Sequence, residues 1–400
     1  MSFNDPIYYY KSAVASKEDA LSIKGRISSK EDAVALKGLK VSPYAGQPQQ
    51  EIDVAPYDMC SDGTSLYIAG RKGYTGPVNH VCKAVKVSIA GFIKSDEVEY
   101  DHEVSTTQEY YWAVKYDAGY LYFAGIGLVA GRQVAIVHKR PVSDLSTLNW
   151  SYIYDANPQA AQFRDLEIDG DYVYAIGDSP INIKVLKVKL NKSDGMAVWE
   201  NNVDTAVAFG ITELADYIYI FKNRAGLLYL ERVLKTDPTS ITETSYALSG
   251  GLFRGMNDGV SLYCGGIQPS VGDVQCYVQK TAIATLVRDW GFNYDGSAPG
   301  YEYFSKAIKH TDGVVYACGS IASPTVPADP GYPAANVVLE KINAVTGASI
   351  LHKEFAGSMS NYNSSMVIIG SYIYLACYNF TAHPAAAWVE KRNCSDLELA

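Results

Sequence analysis

One short word returns through this 400-residue chain and limits what it can fold into. Its clearest copy is Asp312-Gly-Val-Val-Tyr-Ala-Cys-Gly319, which reads as a tight turn, a strand and a closing glycine. Other copies centre on Tyr67, Tyr122, Tyr174, Tyr219, Tyr263 and Tyr374. With Tyr316 included, successive tyrosines stand 55, 52, 45, 44, 53 and 58 residues apart. Self-similarity at such a period is the mark of a stacked or radial array of one supersecondary unit.

The third copy shows what the unit is. Residues 162–168 read as a strand and Asp169-Gly170-Asp171 as a turn. A second strand covers 172–177 and a third covers 182–190. The turn Asn191-Lys-Ser-Asp-Gly195 leads to a fourth strand over 197–202. Four antiparallel strands per period make one propeller blade, so the expected fold is an all-β, seven-bladed β-propeller. The third strands carry a second mark, an apolar-x-basic step, at Lys86, Lys139, Lys187, Arg232, Lys280, Lys341 and Lys391. Such bases are expected on an exposed face, with their stems along the sheet. Fourth strands carry aromatics, among them Trp150, Trp199, Tyr246, Trp290 and Phe355.

The last blade runs out of chain. Only residues 392–400 follow Lys391, while residues 49–54 read as a spare strand before the first blade. Residues 46–54 are therefore expected to supply the outer strand of the last blade and close the ring, removing an open sheet edge. On this reading residues 46–400 form one propeller domain.

Residues 1–45 hold a different repeat. Ser16-Lys-Glu-Asp-Ala20 returns as Ser29-Lys-Glu-Asp-Ala33, each copy ending in Lys-Gly. Serine with an acid three residues on is a capping box, and glycine closes the helix end. A short helical extension is expected, and helices this short need a partner. Tyr8, Tyr9, Tyr10, Ile23, Ile27 and Leu36 are the docking candidates, toward a protein partner in a larger assembly or a homo-oligomer.

Composition narrows the partners. The net charge of −9 and the lack of a basic run argue against nucleic acid. No 18-residue apolar stretch is present to span a membrane. The first twenty residues lack the basic and apolar regions of a secretory signal. Thirty-two tyrosines with few charges point to a surface-exposed or extracellular protein, on a virion for instance, with the cytoplasm as the alternative. The seven cysteines are expected as buried free thiols; a Cys264–Cys276 cross-strand bridge stays open.

The turn–strand word, followed by apolar-x-Lys and a turn such as Asn343-Ala-Val-Thr-Gly347, resembles the repeats of quinoprotein-like propellers over about residues 55–395. That resemblance implies architecture. The adjacent cysteine pair and the Trp-rich docking ends of the quinone dehydrogenases are missing, so no cofactor is carried over. The capped repeats of residues 1–45 resemble the shafts of viral and phage fibres.

No zinc spacing, calcium loop, nucleophile elbow or phosphate loop is present, so no metal or cofactor is expected and the chain reads as non-enzymatic. Gly125 and Gly127, and the pair Gly265-Gly266, read as turn glycines at strand ends. Asp165, Glu167, Glu213 and Glu302 lie near first strands, where carboxylates from separate blades can converge for glycoside hydrolysis. The expected binding face holds the loops between second and third strands and between blades. There, Ser320–Ala335 carries prolines 324, 327, 330 and 333, a spacing that suits a polyproline edge. Candidate contacts for a glycan or protein are Arg71, Tyr74, Arg132, Arg224, Asp329, Tyr332 and His383. Three functions stay open: an attachment head docked through residues 1–45, an intracellular interaction scaffold, and a carbohydrate-active propeller enzyme.

Overall fold

The structure is a computed structural model that describes residues 49–72, 81–101, 109–155, 160–179, 184–202, 204–249, 251–270, 273–295, 303–309, 312–322, 335–355, 365–379 and 386–400. All regular elements among them are strands. They form seven four-stranded antiparallel blades, at 55–100, 110–154, 162–201, 207–249, 251–294, 303–355 and 365–393. The template blade has strands Gln162–Asp169, Tyr172–Ser179, Lys184–Asn191 and Ala197–Asn201, close to the bounds expected from sequence. First strands of successive blades contact one another and so ring the central channel. Blades 5 and 6 also share a parallel bridge, Arg254↔Lys306.

The ring closes as the sequence requires. Gln49–Ile52 is the outer strand of blade 7 and pairs antiparallel with Ala386–Asn393, from Gln49↔Glu390 to Ile52↔Ala387. The fold has no single core. Among the described residues, buried apolar side chains fall into seven clusters, one at each seam between neighbouring blades. Each marker tyrosine is almost wholly buried and points into the seam with the following blade.

The word itself can now be read physically. Asp62 Oδ1 accepts the N–H groups of Thr64 and Ser65, both at 2.7 Å, and so fixes the turn. Tyr67 then donates its hydroxyl back to Asp62 Oδ2 at 2.8 Å. Asp258 with Tyr263 (3.1 Å) and Asp312 with Tyr316 (3.3 Å) repeat the link. The closing glycine answers the first strand. The first strands of blades 1 to 6 carry a bulge, between Pro56 and Asp58, Tyr111 and Ala113, and Phe163 and Asp165 for example. A Cβ on Gly70, Gly125 or Gly177 would lie 1.8, 2.1 or 1.9 Å from the carbonyl oxygen of Ala55, Tyr110 or Gln162. Gly125 is thus a strand glycine under a bulge, within Tyr120–Val129. The turn role expected for it is corrected, as it is for Gly127, Gly265 and Gly266, which also lie inside strands.

The second mark is a cross-strand partner of the first. Tyr67 pairs with Lys86, Tyr122 with Lys139, Tyr219 with Arg232, Tyr263 with Lys280, Tyr316 with Lys341 and Tyr374 with Lys391. In blade 3 the partner of Tyr174 is Lys189, not Lys187. Lys187 faces the other way and is buried in an ion pair with Glu231 of blade 4. Nor do these bases simply lie along an exposed face. Lys86, Lys139, Lys189 and Lys341 reach across the seam to backbone carbonyls of the next blade, on Val142 (3.0 Å), Lys192 (2.9 Å), Lys235 (3.2 Å) and Cys394 (3.0 Å).

Fourth-strand tryptophans share the same acceptors. Trp150 Nε1 donates to Lys192 O and Trp199 Nε1 to Lys235 O, each at 3.1 Å. Gly195 lies under the Trp150 ring, where a Cβ would come within 2.7 Å; its φ of +75° also favours glycine. All seven cysteines are free, six of them buried, and Cys264 faces Gln279 rather than Cys276 across the ladder.

Candidate functional site: a plugged channel with an aromatic–guanidinium mouth

The bulges turn backbone carbonyls toward the channel, and one side chain collects them. Arg254, on the first strand of blade 5, donates from Nη1 to Tyr57 O at 2.8 Å and from Nη2 to Arg164 O at 3.1 Å and to Trp112 O. These are the bulge residues of blades 1, 3 and 2. Arg254 Nη1 also lies 3.0 Å from Asp58 Oδ1, and its Nε lies 4.0 Å from Asp165 Oδ1. Lys306 of blade 6 approaches Asp58 Oδ1 at 3.3 Å. One guanidinium therefore ties blade 5 to blades 1, 2 and 3 through the middle of the ring.

The channel carboxylates double as latches between neighbours. Asp58 Oδ2 accepts Val114 N–H of blade 2 at 3.1 Å, and Asp165 Oδ2 accepts Ile211 N–H of blade 4 at 3.0 Å. Ser365 Oγ of blade 7 accepts Met59 N–H of blade 1 at 3.0 Å and donates to Asp58 Oδ1. Burial alone would raise the Asp58 carboxyl, but Arg254, Lys306 and Lys115 outweigh it and hold it well below the usual carboxylate range. Burial pushes the Asp165 carboxyl up, against Arg254 and Lys115. Lys115 pairs with Glu167 at 2.7 Å, and Glu213 pairs with Lys235 at 2.7 Å. The glycosidase candidates Asp165, Glu167 and Glu213 are thus all held by protein cations or amides; Glu302 lies outside the described residues.

Side chains of the bulge residues of blades 1 to 4 gather at one end of the channel. This is the end where first strands start, second strands finish and the interblade connections run. Tyr57 and Trp112 have ring centroids 4.7 Å apart, and Tyr110 meets both edge-on, at 5.4 and 4.8 Å. The Arg164 guanidinium lies against the Trp112 and Phe209 rings at 5.6 and 5.5 Å, and that of Arg71 lies 6.0 Å from Tyr57. The row Arg71–Tyr57–Trp112–Arg164–Phe209 spans blades 1 to 4, and each member is part-exposed. A layer beneath pins it. Gln162 accepts Trp112 Nε1–H at 3.1 Å and donates to Asp178, which pairs with Arg164 Nε.

Of the expected contact residues that are described, Arg71 joins this row and Arg132 and Arg224 do not. Arg132 is held by Asp155 through two bonds, at 2.8 and 2.9 Å. Arg224 is shared between Asp204 and Glu243, at 2.6 and 2.9 Å. Tyr74, Asp329, Tyr332 and His383 lie outside the described residues, as do the docking candidates Tyr8, Tyr9, Tyr10, Ile23, Ile27 and Leu36. Residues 320–322 of the proline-bearing loop are strand, and 323–334 lie outside the described residues. Tyr57, Trp112, Arg164 and Phe209 escaped the sequence reading. A signal existed, since each stands ten residues before its blade's marker tyrosine.

One carboxylate cluster elsewhere has the spacing of a cation site. Asp204, Glu231 and Glu243 bring oxygens within 4.8 Å of one another. The Lys222 ammonium lies among them and pairs with all three, so the charge a metal would supply is already there.

The fold and the site define a seven-bladed β-propeller with a filled channel and an aromatic, guanidinium-bearing mouth. No family model matches the chain, and no curated protein matches its sequence. Among solved structures it is similar to the WD40 domain of Neurospora crassa Pan2, at a TM-score of 0.52 and 9% identity over 84% of this chain and 89% of that one. It is also similar to Raptor of Chaetomium thermophilum, at a TM-score of 0.57 and 9% identity. That match covers 88% of this chain and 29% of that one. At such identities the likeness shows the fold alone.

Proposed function

We propose that the protein is a non-enzymatic propeller that binds a protein partner at the bulge end of its channel. The row from Arg71 to Phe209 carries the reading. Tyrosine, tryptophan and arginine are the side chains that dominate binding energy at protein interfaces. Here they are part-exposed, contiguous over four blades and braced from below. The channel carboxylates serve the ring itself, which argues against a reaction centre. Seven cysteines with no disulfide among them favour a reducing compartment, and so the intracellular scaffold form of the reading.

Cross-linking in extracts of the native source, mapped by mass spectrometry, tests this. The expected partner links near the channel mouth and is lost with Trp112→Ala but kept with Arg132→Ala. Links confined to the opposite end, near the Asn191–Gly195 turn, would overturn the reading. So would turnover of any glycoside in a substrate panel.

The attachment-head reading has one observation of its own. Gln49–Ile52 is the outermost strand of its blade, so the described chain enters the ring at its rim. A tether leaving from the rim keeps the same binding end free.

A further inference from the structure

We propose that the row from Arg71 to Phe209 receives an extended acidic peptide. Arg71 and Arg164 take its carboxylates, and Tyr57 and Trp112 take its apolar side chains. This rests on the interaction reading above and names the chemistry of the partner.

Arg132 and Arg224 spend both terminal nitrogens on their own carboxylates. Among the described residues Arg71 has no ion pair and no side-chain hydrogen bond, and its Nε is buried and unbonded. Arg164 uses Nε on Asp178, while its two terminal nitrogens make no hydrogen bond among the described residues. Those nitrogens are the fork that binds a carboxylate through two parallel bonds. In a chain of net charge −9, two guanidinium groups with open donors at one site select an anion.

The geometry then selects a peptide. Each guanidinium lies over a ring, 6.0 Å from the Tyr57 centroid for Arg71 and 5.6 Å from the Trp112 centroid for Arg164, a contact that lowers the ordering cost of binding. The rings of Tyr57 and Trp112 lie between them, 4.7 Å apart. The resulting order is cation, apolar, apolar, cation. An extended strand advances about 3.3 Å per residue and sends alternate side chains to one face. Acids spaced around apolar residues fit that order. A sugar acid would need hydrogen-bond acceptors for its hydroxyls. The nearby candidates, Gln162 and Asp178, are committed to Trp112, to each other and to Arg164.

The test is fluorescence anisotropy with the full chain and a labelled synthetic peptide of alternating Glu and Leu. Its twin carries Gln for every Glu. The Glu peptide is expected to bind, and the twin at least about tenfold more weakly. Arg71→Gln and Arg164→Gln should each weaken the Glu peptide by about tenfold, whereas Arg132→Gln leaves it unchanged. Thermal midpoints of the variants check folding, and the comparison of twins needs no variant. Equal affinity for both peptides, or no binding of either, overturns the acidic-peptide assignment. So does an equal loss with Arg132→Gln. Displacement of the peptide by a sialylated oligosaccharide at lower concentration than by unlabelled peptide assigns the row to acidic glycans and also overturns it. Failure here with a Trp112-dependent partner in the extract experiment would leave the interaction reading standing and remove only its acidic chemistry.

Discussion

Arg254 Nη1 stands 3.0 Å from Asp58 Oδ1, a contact between residues 196 positions apart in sequence and on opposite arms of the ring. Asp58 is 2% exposed and Arg254 14%. Removing the cation leaves a buried carboxylate with only Lys306 and the more distant Lys115 to offset it, and strips three bulge carbonyls of their donor. Arg254→Met should cost about 3 kcal/mol or more, read as a lower denaturation midpoint. Adding Asp58→Asn should recover part of that loss, since the two residues share one interaction.

Asp58 also sets an acid limit. Its folded carboxyl is held below the unfolded value, so its contribution is complete above about pH 4 and is lost as pH falls toward the folded value. Acid titration of stability should therefore be shallower below pH 4 in Asp58→Asn than in the wild type.

His352 gives the opposite slope. Burial disfavours its charged form, but hydrogen bonds to Glu340 (2.7 Å) and Glu354 (3.2 Å) outweigh that and raise its affinity for a proton. The stabilisation is complete below about pH 6.5, the unfolded value, and fades as pH rises through the folded one. Thermal midpoints measured from pH 6 to 9 should fall in the wild type and flatten in His352→Gln.

Hydroxyl deletion separates the seven marker tyrosines. Tyr316 donates to both Asp312 and Cys394 O, at 3.3 and 3.0 Å, so Tyr316→Phe should cost about 1–2 kcal/mol. Tyr122 has no hydroxyl partner among the described residues, and Tyr122→Phe should change stability by less than about 0.5 kcal/mol. Equal losses at both positions in urea unfolding would contradict the turn-latch role.

Truncation tests closure and docking together. Deleting residues 46–54 should lower the thermal midpoint sharply, because it opens an edge on blade 7. Deleting residues 1–45 should leave the midpoint in place. Native mass of the same two proteins reads whether residues 1–45 drive assembly.

The architecture was legible because most blades use the same few residues at the same places. The turn aspartate, the buried tyrosine, the bulge-facing glycine and the cross-strand base all leave periodic marks. The ring-closing strand was legible by subtraction, since the last blade is one strand short. The lysine of blade 3 was misread because Lys184-Val-Leu-Lys-Val-Lys189 offers bases of alternating roles, and only the ladder tells Lys187 from Lys189. The mouth was not legible in the same way. Its members differ in type from blade to blade, and what unites them is a bulge, a backbone feature that side-chain periodicity does not report. Arg254 was hidden for a related reason, since its partners are mostly carbonyls.

The strand at residues 49–52 is made well before its partner at 386–393, with six blades between them. While the ribosome builds the intervening blades, that partner does not yet exist. The circle is completed only once residues 386–393 have been made, so any chain that stops before them carries an unclosed ring. Synthesis through the last blade becomes the condition for a sealed ring, and fragments that stop short of residue 386 keep an unpaired strand edge that the closed ring lacks.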